Sequence, residues 1–494
     1  MLWTRLFLFV YAGIVAGSGS AAGSGAGETP ALFSLGAWAH PASALAGGDT
    51  VATAFPAGWP FSAHQRPVTG TNGMVVTADS LASAVGLEIL RAGGNAVDAA
   101  VAIHFALAVV YPQAGNLGGG GFLVVRTADG REASLDFREK APQGARRDMY
   151  VEADGEVSPA SRTGHLAAGV PGSPAGMEKA HRRFGRLAWP SLLEPARRLA
   201  AEGFAVPPRL HEALASQAAR LGRFPSTAAV FLPGGRPPAA GSVLRQPELA
   251  RTLQAISDSG AQVFYRGWIA DSVVAEMERG GGLIAMRDLA EYRALWRPPI
   301  HIRYAGRRII TMGPPSAGGV VLGSMLGMLE GFDRRGWTPR SAEEVHVVAE
   351  IMRRAYADRN RYLGDADFEP VPVRRLLDRA YLDSLRGTIR PRQATPSRSG
   401  SAPDAESGET THYSVVDASG MAVAVTTTIN GLFGAGVVVR GAGFLLNNEM
   451  DDFTVRPGRP NMYGLVQGEA NAIAPGKRML SAMTPTIVIG PDGR

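Results

Sequence analysis

The 494-residue chain is 45% hydrophobic and 19% charged, with mean hydropathy near zero, which supplies ample apolar material for a sizeable core and length for roughly two to four domains. Its net charge is +6, but of the 50 basic residues only Lys140, Lys179 and Lys477 are lysines, and the arginines are interleaved with acids along the chain. No long basic run with interleaved aromatics is present, which argues against nucleic acid as a partner, and a chain without cysteine forms neither disulfides nor a lipoprotein anchor.

Met1–Arg5 carries one positive side chain, Leu6–Val15 is a short apolar run and small residues follow from Ala16 to Ala26. This is the layout of a secretory signal peptide over residues 1–22, and it predicts a periplasmic or secreted protein, with a retained N-terminal anchor as the other option. Residues 23–72 are rich in Pro, Gly and Ala and read as an extended lead-in.

Regular structure begins at the strand Gly73–Thr77. A helix capped by Ser80 follows to Leu90 or Arg91, with Ala84, Leu87 and Leu90 on its buried face. After the break at Gly93-Gly94-Asn95, the segment Ala96–Val110 is apolar almost all round and predicts a central helix. Gly118–Gly121 invites a phosphate-loop reading, but no Lys-Ser/Thr follows and a strand, Phe122–Arg126, comes next; close packing of backbone against a neighbouring strand explains the glycines better. Ser134–Arg138 is a further strand, and Arg138 at its end either pairs with an acid structurally or clamps a substrate carboxylate.

Helices are predicted at 173–184, 189–201, across most of 207–254, and at 269–278. A strand pair over 300–312 precedes the Pro/Gly turn 313–319, a helix at 320–329 and the longest amphipathic helix, Ala342–Tyr362. Pro391–Gly408 has no apolar period and reads as a flexible linker. Directly after it, Tyr413, Val415 and Val416 begin a strand that resumes at Met421–Ile429. Thr410 therefore stands where linker meets strand. Either it is an ordinary strand threonine, or a cut before it exposes a hydroxyl nucleophile together with an α-amine that titrates near neutral pH and serves as its base. The scattered histidines show no metal-ligand spacing, His346 and His412 read as packing residues, and neither a Gly-x-Ser-x-Gly elbow nor a Cys nucleophile competes with Thr410.

Glu409–Asp417 strongly resembles the self-processing junction of the γ-glutamyltransferases (glutathione hydrolases). The segments Gly93–Ala100, Pro112–Phe122, Leu135–Glu139, Pro314–Gly319, Tyr356–Arg359, Phe433–Gly436 and Leu445–Phe453 resemble the same family. The resemblance implies an α+β N-terminal-nucleophile hydrolase, a four-layer αββα sandwich built jointly by two subunits of one precursor. Residues 73–390 would form the large-subunit region, 391–409 the linker ending at the autocleavage junction Glu409–Thr410, and 410–494 the small-subunit region. Thr410 would be the nucleophile and Thr428 its supporting hydroxyl. Asn430, Glu449 and Asp452 would hold the donor's α-amino group, Arg138 its α-carboxylate, with Ser481 beside it and Tyr463 on a lid loop.

The resemblance implies glutathione and related γ-glutamyl compounds as donors, water or amino-acid and peptide amines as acceptors, and no cofactor or metal. Two departures stand out. The usual hydroxyl pair is here Ser481-Ala482, so a bond to the donor carboxylate is expected to be missing. Beyond Thr486–Gly490 the chain ends in the turn Pro491–Arg494, where the family continues into a returning strand and a Pro-Gly-Gly oxyanion element. Two alternatives follow: a related cephalosporin or glutaryl acylase, or an inactive, unprocessed precursor or fragment without its oxyanion hole.

Overall fold

The computed structural model describes residues 68–338, 340–396 and 410–493. The signal-peptide reading and Glu409 lie outside the described residues. Ala96–Val110 forms a helix of 15 residues, all of them buried, and only an element surrounded by protein on every side can be that uniformly apolar. Asn95 caps it, and Asp98 reaches back to the Asn95 N–H at 3.0 Å, so the orphan N–H groups of its first turn are satisfied by the protein's own side chains. The preceding helix, Ser80–Arg91, departs from expectation. Its cap is Asp79, whose carboxylate accepts from Leu81 and Ala82, and its buried face is Ala82, Val85, Gly86 and Ile89, while Ala84 and Leu87 face outward. Ser80 becomes the first helical residue instead, and that one-position error in phase moves the whole predicted face.

Strands are numbered β1 (Gly73–Val76), β2 (Gly120–Arg126), β3 (Glu132–Asp136), β4 (Phe204–Ala205), β5 (Val243–Leu244), β6 (Leu295–Arg297), β7 (Ile300–Tyr304), β8 (Arg307–Thr311), β9 (Thr410–Asp417), β10 (Ala422–Thr428) and β11 (Thr486–Ile489). A six-stranded antiparallel sheet runs β1-β9-β10-β2-β3-β6, and a three-stranded one runs β11-β8-β7. The layering follows from the pleat. On β2, Leu123 and Val125 join the large core that includes the Ala96–Val110 helix, whereas Phe122 and Val124 meet Ile310, Met312, Met483 and Ile489 between the two sheets. The helices Gly318–Glu330 and Ala342–Tyr362 pack together, the former against β7, and complete the αββα order. Because β2 is buried on both faces, it reads as a nearly continuous apolar run.

The four glycines of 118–121 are explained by proximity. A Cβ on Gly118 would stand 2.1 Å from the Leu445 carbonyl oxygen, on Gly119 2.1 Å from that of Thr428, and on Gly121 2.3 Å from that of Thr426. Backbone meets backbone here. Asn116 locks the same joint: its amide nitrogen is 3.0 Å from the Thr428 carbonyl and from Thr427 Oγ1, and its oxygen accepts from Gly119 N and Ser173 Oγ. A Gly119→Ala substitution is expected to cost about 1–3 kcal/mol of overpacking, read as a lower urea midpoint at unchanged m-value.

His104, on the central helix, is fully buried, with Nδ1 3.4 Å from Tyr413 Oη. Burial pushes its pKa down from 6.5 to about 4. An unfolded chain takes up this proton near pH 6.5 and the folded one does not, so stability is full above pH 6.5 and falls toward pH 4, by about 2 kcal/mol at pH 5. Because the other titrating groups are common to both proteins, the unfolding free energy of wild type minus that of His104→Gln should fall by about 2 kcal/mol from pH 7.5 to pH 5.

Candidate active site

The register of β9 against β10 sets Thr410 directly across from Thr428, and His412 across from Thr426. Because side chains alternate, Thr410, His412 and Ser414 share a face with Thr426 and Thr428, while Tyr413 and Val415 point into the helical core. Thr410 Oγ1 lies 3.3 Å from Thr428 Oγ1, donating to it. Thr428 Oγ1 also accepts from Asn430 N at 2.8 Å. Thr410 is half-buried and Thr428 buried. His412 bonds to Thr426 Oγ1 at 2.8 Å and to Ser414 Oγ at 3.1 Å, and burial lowers its pKa to about 4, so it is a neutral part of the sheet face.

Past the end of β10 the chain turns sharply. Asn430 holds φ = 71°, a left-handed conformation that Asn tolerates better than most residues, and its amide donates to the Asn448 carbonyl at 3.0 Å. Asn447 and Asn448 are structural struts. Asn447 Nδ2 donates to the carbonyls of Gly118 and Gly169 at 2.7 Å, and Asn448 Oδ1 accepts from Gly431 N at 2.8 Å. Together they hold the 3₁₀ turn Glu449–Asp452 beneath Asn430.

That turn carries Glu449 and Asp452 to Arg138, whose side chain is fully buried. Arg138 Nη1 is 2.7 Å from Glu449 and 3.4 Å from Glu139, its Nη2 bonds to Asp452, and its Nε donates to the Met479 carbonyl at 3.3 Å. One guanidinium faces three buried or nearly buried carboxylates. Burial pushes Glu449 well above the usual carboxylate range and Asp452 up as well, against the pull of Arg138, and drives Glu139 to about 7. Burial works against the charge of Arg138, but Glu449, Glu139 and Asp452 outweigh it and hold the guanidinium firmly protonated. Glu139 Oε1 has no hydrogen-bond partner, while Glu449 meets the Arg138 guanidinium and shares a hydrogen bond with Asp452, so three acids crowd one guanidinium and burial holds them toward their neutral forms.

Tyr463 lies half-buried on a tight loop in which Asn461 Oδ1 accepts from Tyr463 N and Leu465 N, both at 3.0 Å. The loop rests on the same acids: Met462 N donates to Asp451 at 2.8 Å, Asn461 Nδ2 is 3.5 Å from Asp452, and Met462 Sδ is 3.6 Å from the Asn430 amide. Ser481 is buried, its Oγ accepts from Met483 N at 3.1 Å and its main chain pairs with Pro315 and Ala317, so its bonds tie it to the 315–317 turn rather than to Arg138. Ala482 is exposed. Thr410, Thr428, Asn430, Glu449, Asp452, Arg138 and Tyr463 are thus joined by one continuous run of contacts. Sequence reasoning missed Glu139, Asn116, Asn447, Asn448 and Asp451. The signal for most of these was the density of short polar side chains in Asn447–Asp452 directly after the apolar Phe444–Leu446.

The pattern of the family described as Gamma-glutamyltranspeptidase matches residues 82–494. Among similar proteins is the glutathione hydrolase proenzyme of Pseudomonas sp. (strain A14), 48% identical over 431 residues, which cover 86% of this chain and 75% of that one. The acylase ACY 1 proenzyme of Pseudomonas sp. (strain V22) is 41% identical over 436 residues, covering 87% of this chain and 76% of that protein. The crystal structure of Helicobacter pylori gamma-glutamyltranspeptidase superposes with a TM-score of 0.66 at 42% identity, covering 67% of this chain and 95% of that one. A threonine pair at the same end of two antiparallel neighbouring strands, joined to a buried arginine–carboxylate cluster, thus sits in a chain that belongs to the gamma-glutamyltranspeptidase family.

Proposed function

We propose that this protein is a γ-glutamyl hydrolase and transferase that acts on glutathione and related γ-glutamyl compounds after cutting itself between Glu409 and Thr410. The observation that carries this reading is the Arg138 cluster: a buried guanidinium shared by three acids that burial holds toward their neutral forms, which a second cation would let ionise, connected through Asn430 and Thr428 to the hydroxyl of Thr410. An α-amino acid end supplies what the cluster lacks. Its carboxylate takes over the Nη donors of Arg138, and its ammonium settles between Glu449 and Asp452 beside Asn430, replacing an ion pair made within the protein by two made with the donor. A glutaryl group has no ammonium and would leave those acids uncompensated, which favours the γ-glutamyl reading over the acylase one.

In the first reaction Thr410 Oγ attacks the carbonyl of residue 409 and its amide becomes an ester. Water hydrolyses that ester and leaves Thr410 with a free α-amine. In the second, the amine takes the Thr410 hydroxyl proton as Oγ attacks the γ-carbonyl of the donor. It then passes the proton to the departing nitrogen, and a γ-glutamyl ester remains on Thr410. Thr428, accepting the Thr410 hydroxyl hydrogen in the precursor, holds Oγ on the inner face of the sheet. Water or an incoming amine attacks the ester and restores the threonine. Export across a membrane, as the apolar run Leu6–Val15 suggests, would place the enzyme where extracellular γ-glutamyl compounds are met.

Purified protein should separate into two chains, the smaller with Thr410 at its N-terminus by sequencing and mass, while Thr410→Ala should stay whole; an uncut wild-type chain would favour the inactive-precursor reading. Turnover of γ-glutamyl and glutaryl anilides should favour the former, and preference for the glutaryl compound would overturn the assignment. Asp452→Asn should lower kcat/KM for the γ-glutamyl anilide by about 10- to 150-fold, the loss of one charge-assisted bond.

A further inference from the structure

Two segments flank the Arg138 side chain, each pinned to the fold by a few backbone bonds: Phe137 pairs with Gly121, and Ser481 with Pro315 and Ala317. The Asp136–Arg138 stretch begins at the last residue of β3, and residues 478–481 form an irregular run whose Met479 carbonyl accepts Arg138 Nε. A second buried ionic cluster, separate from the first, ties them together. Asp136 is fully buried and gathers four contacts. Its Oδ1 accepts from Arg138 N at 3.0 Å, and its Oδ2 accepts from Arg297 Nε and Nη2 at 3.1 Å and lies 3.3 Å from Arg478 Nε. Arg478, itself buried, donates from Nη2 to the Arg293 carbonyl at 2.7 Å, with its guanidinium carbon 6.0 Å from the centre of the Tyr292 ring. Tyr292 Oη in turn donates to the Arg138 carbonyl at 2.8 Å. The main chain of Arg138 is therefore gripped at N by Asp136 and at O by Tyr292. The carbonyl that orients its Nε is set one residue away from Arg478.

We propose that Asp136, Arg478 and Tyr292 are positioning residues for the donor's α-carboxylate: they touch no substrate but fix the guanidinium of Arg138 and the 478–481 segment in one geometry. The proposal rests on the reading of Arg138 as the carboxylate grip. A buried ion pair of this kind is weak as a source of stability but specific as a device for register. An error of about an ångström at a bidentate clamp weakens it severely. The carboxylates of Glu139, Glu449 and Asp452 belong to the other cluster and contact the guanidinium, not the main chain, of Arg138.

The test compares two substrates that differ only by the carboxylate, γ-glutamyl-p-nitroanilide and 4-aminobutanoyl-p-nitroanilide, with the processed enzyme in excess so that acylation is read directly. Asp136→Asn and Arg478→Lys should each lower the acylation efficiency on the γ-glutamyl compound by about 10-fold, as expected for loss of a charge-assisted contact. The same variants should change it by less than about 2-fold on the 4-aminobutanoyl compound, which never used the clamp. Tyr292→Phe, which keeps the ring and removes one neutral bond, should give the same selectivity at about 3-fold, and it carries the test if either charge variant fails to fold. An equal loss on both substrates, or no loss on either, would overturn the proposal by reducing these residues to general scaffolding. Wild-type enzyme that acylates with neither substrate would instead overturn the γ-glutamyl reading beneath it.

Discussion

A single buried guanidinium shared by three buried or nearly buried acids organises this molecule. Arg138 cannot be left alone in the interior, and its acids cannot be left without it, so every element near it is arranged to bring them together. The Glu449–Asp452 turn is strutted from Asn447 and Asn448, which are themselves bonded to Gly118 and Gly431. Gly118–Gly121 lets those backbones touch. The same glycine run sets β2 against β10, and β10 sets Thr428 across from Thr410. Charge balance at one end of the site and nucleophile geometry at the other thus share one close-packed backbone joint.

That coupling explains where polar groups are found in a core that is otherwise apolar. Asn116, Asn430, Asn447 and Asn448 are buried and bonded, each tying a stretch of irregular chain to its neighbour. A side-chain amide both donates and accepts, so one asparagine can replace the ladder that a loop lacks. The cost of burying these amides is offset only if every bond is made, which makes the site rigid before any ligand arrives.

Much of this was legible in the amino-acid order. The all-apolar Ala96–Val110, the long Ala342–Tyr362 helix and the hairpin around Tyr304–Gly306 fall where periodicity places them, because burial on all sides, one side or alternate sides leaves distinct patterns. The close backbone approach expected at Gly118–Gly121 is present. The Ser80–Arg91 helix was misphased because Asp79 and Ser80 are both good caps and their order in space is decided by tertiary contacts; Asp79 also pairs with Arg209. At the site, the resemblance pointed to Arg138, Glu449 and Asp452, which proved to be one cluster. It assigned no role to Glu139, whose carboxylate turns back onto its own neighbour Arg138. Pairings between residues 314 positions apart leave no local trace, as for Arg138 and Asp452.

The order of the six strands has a consequence for what a cut before Thr410 would leave. β9 and β10, from beyond the cut, lie between β1 on one side and β2 on the other, both from before it, and β11 joins β8 in the second sheet. The two products would be interleaved like the fingers of clasped hands. Neither could depart without tearing a ladder on both flanks and exposing a buried cation to be re-solvated. Scission here would change the chemistry of one nitrogen while leaving the assembly topologically committed, and the two pieces would be one folding unit that happens to have four chain ends.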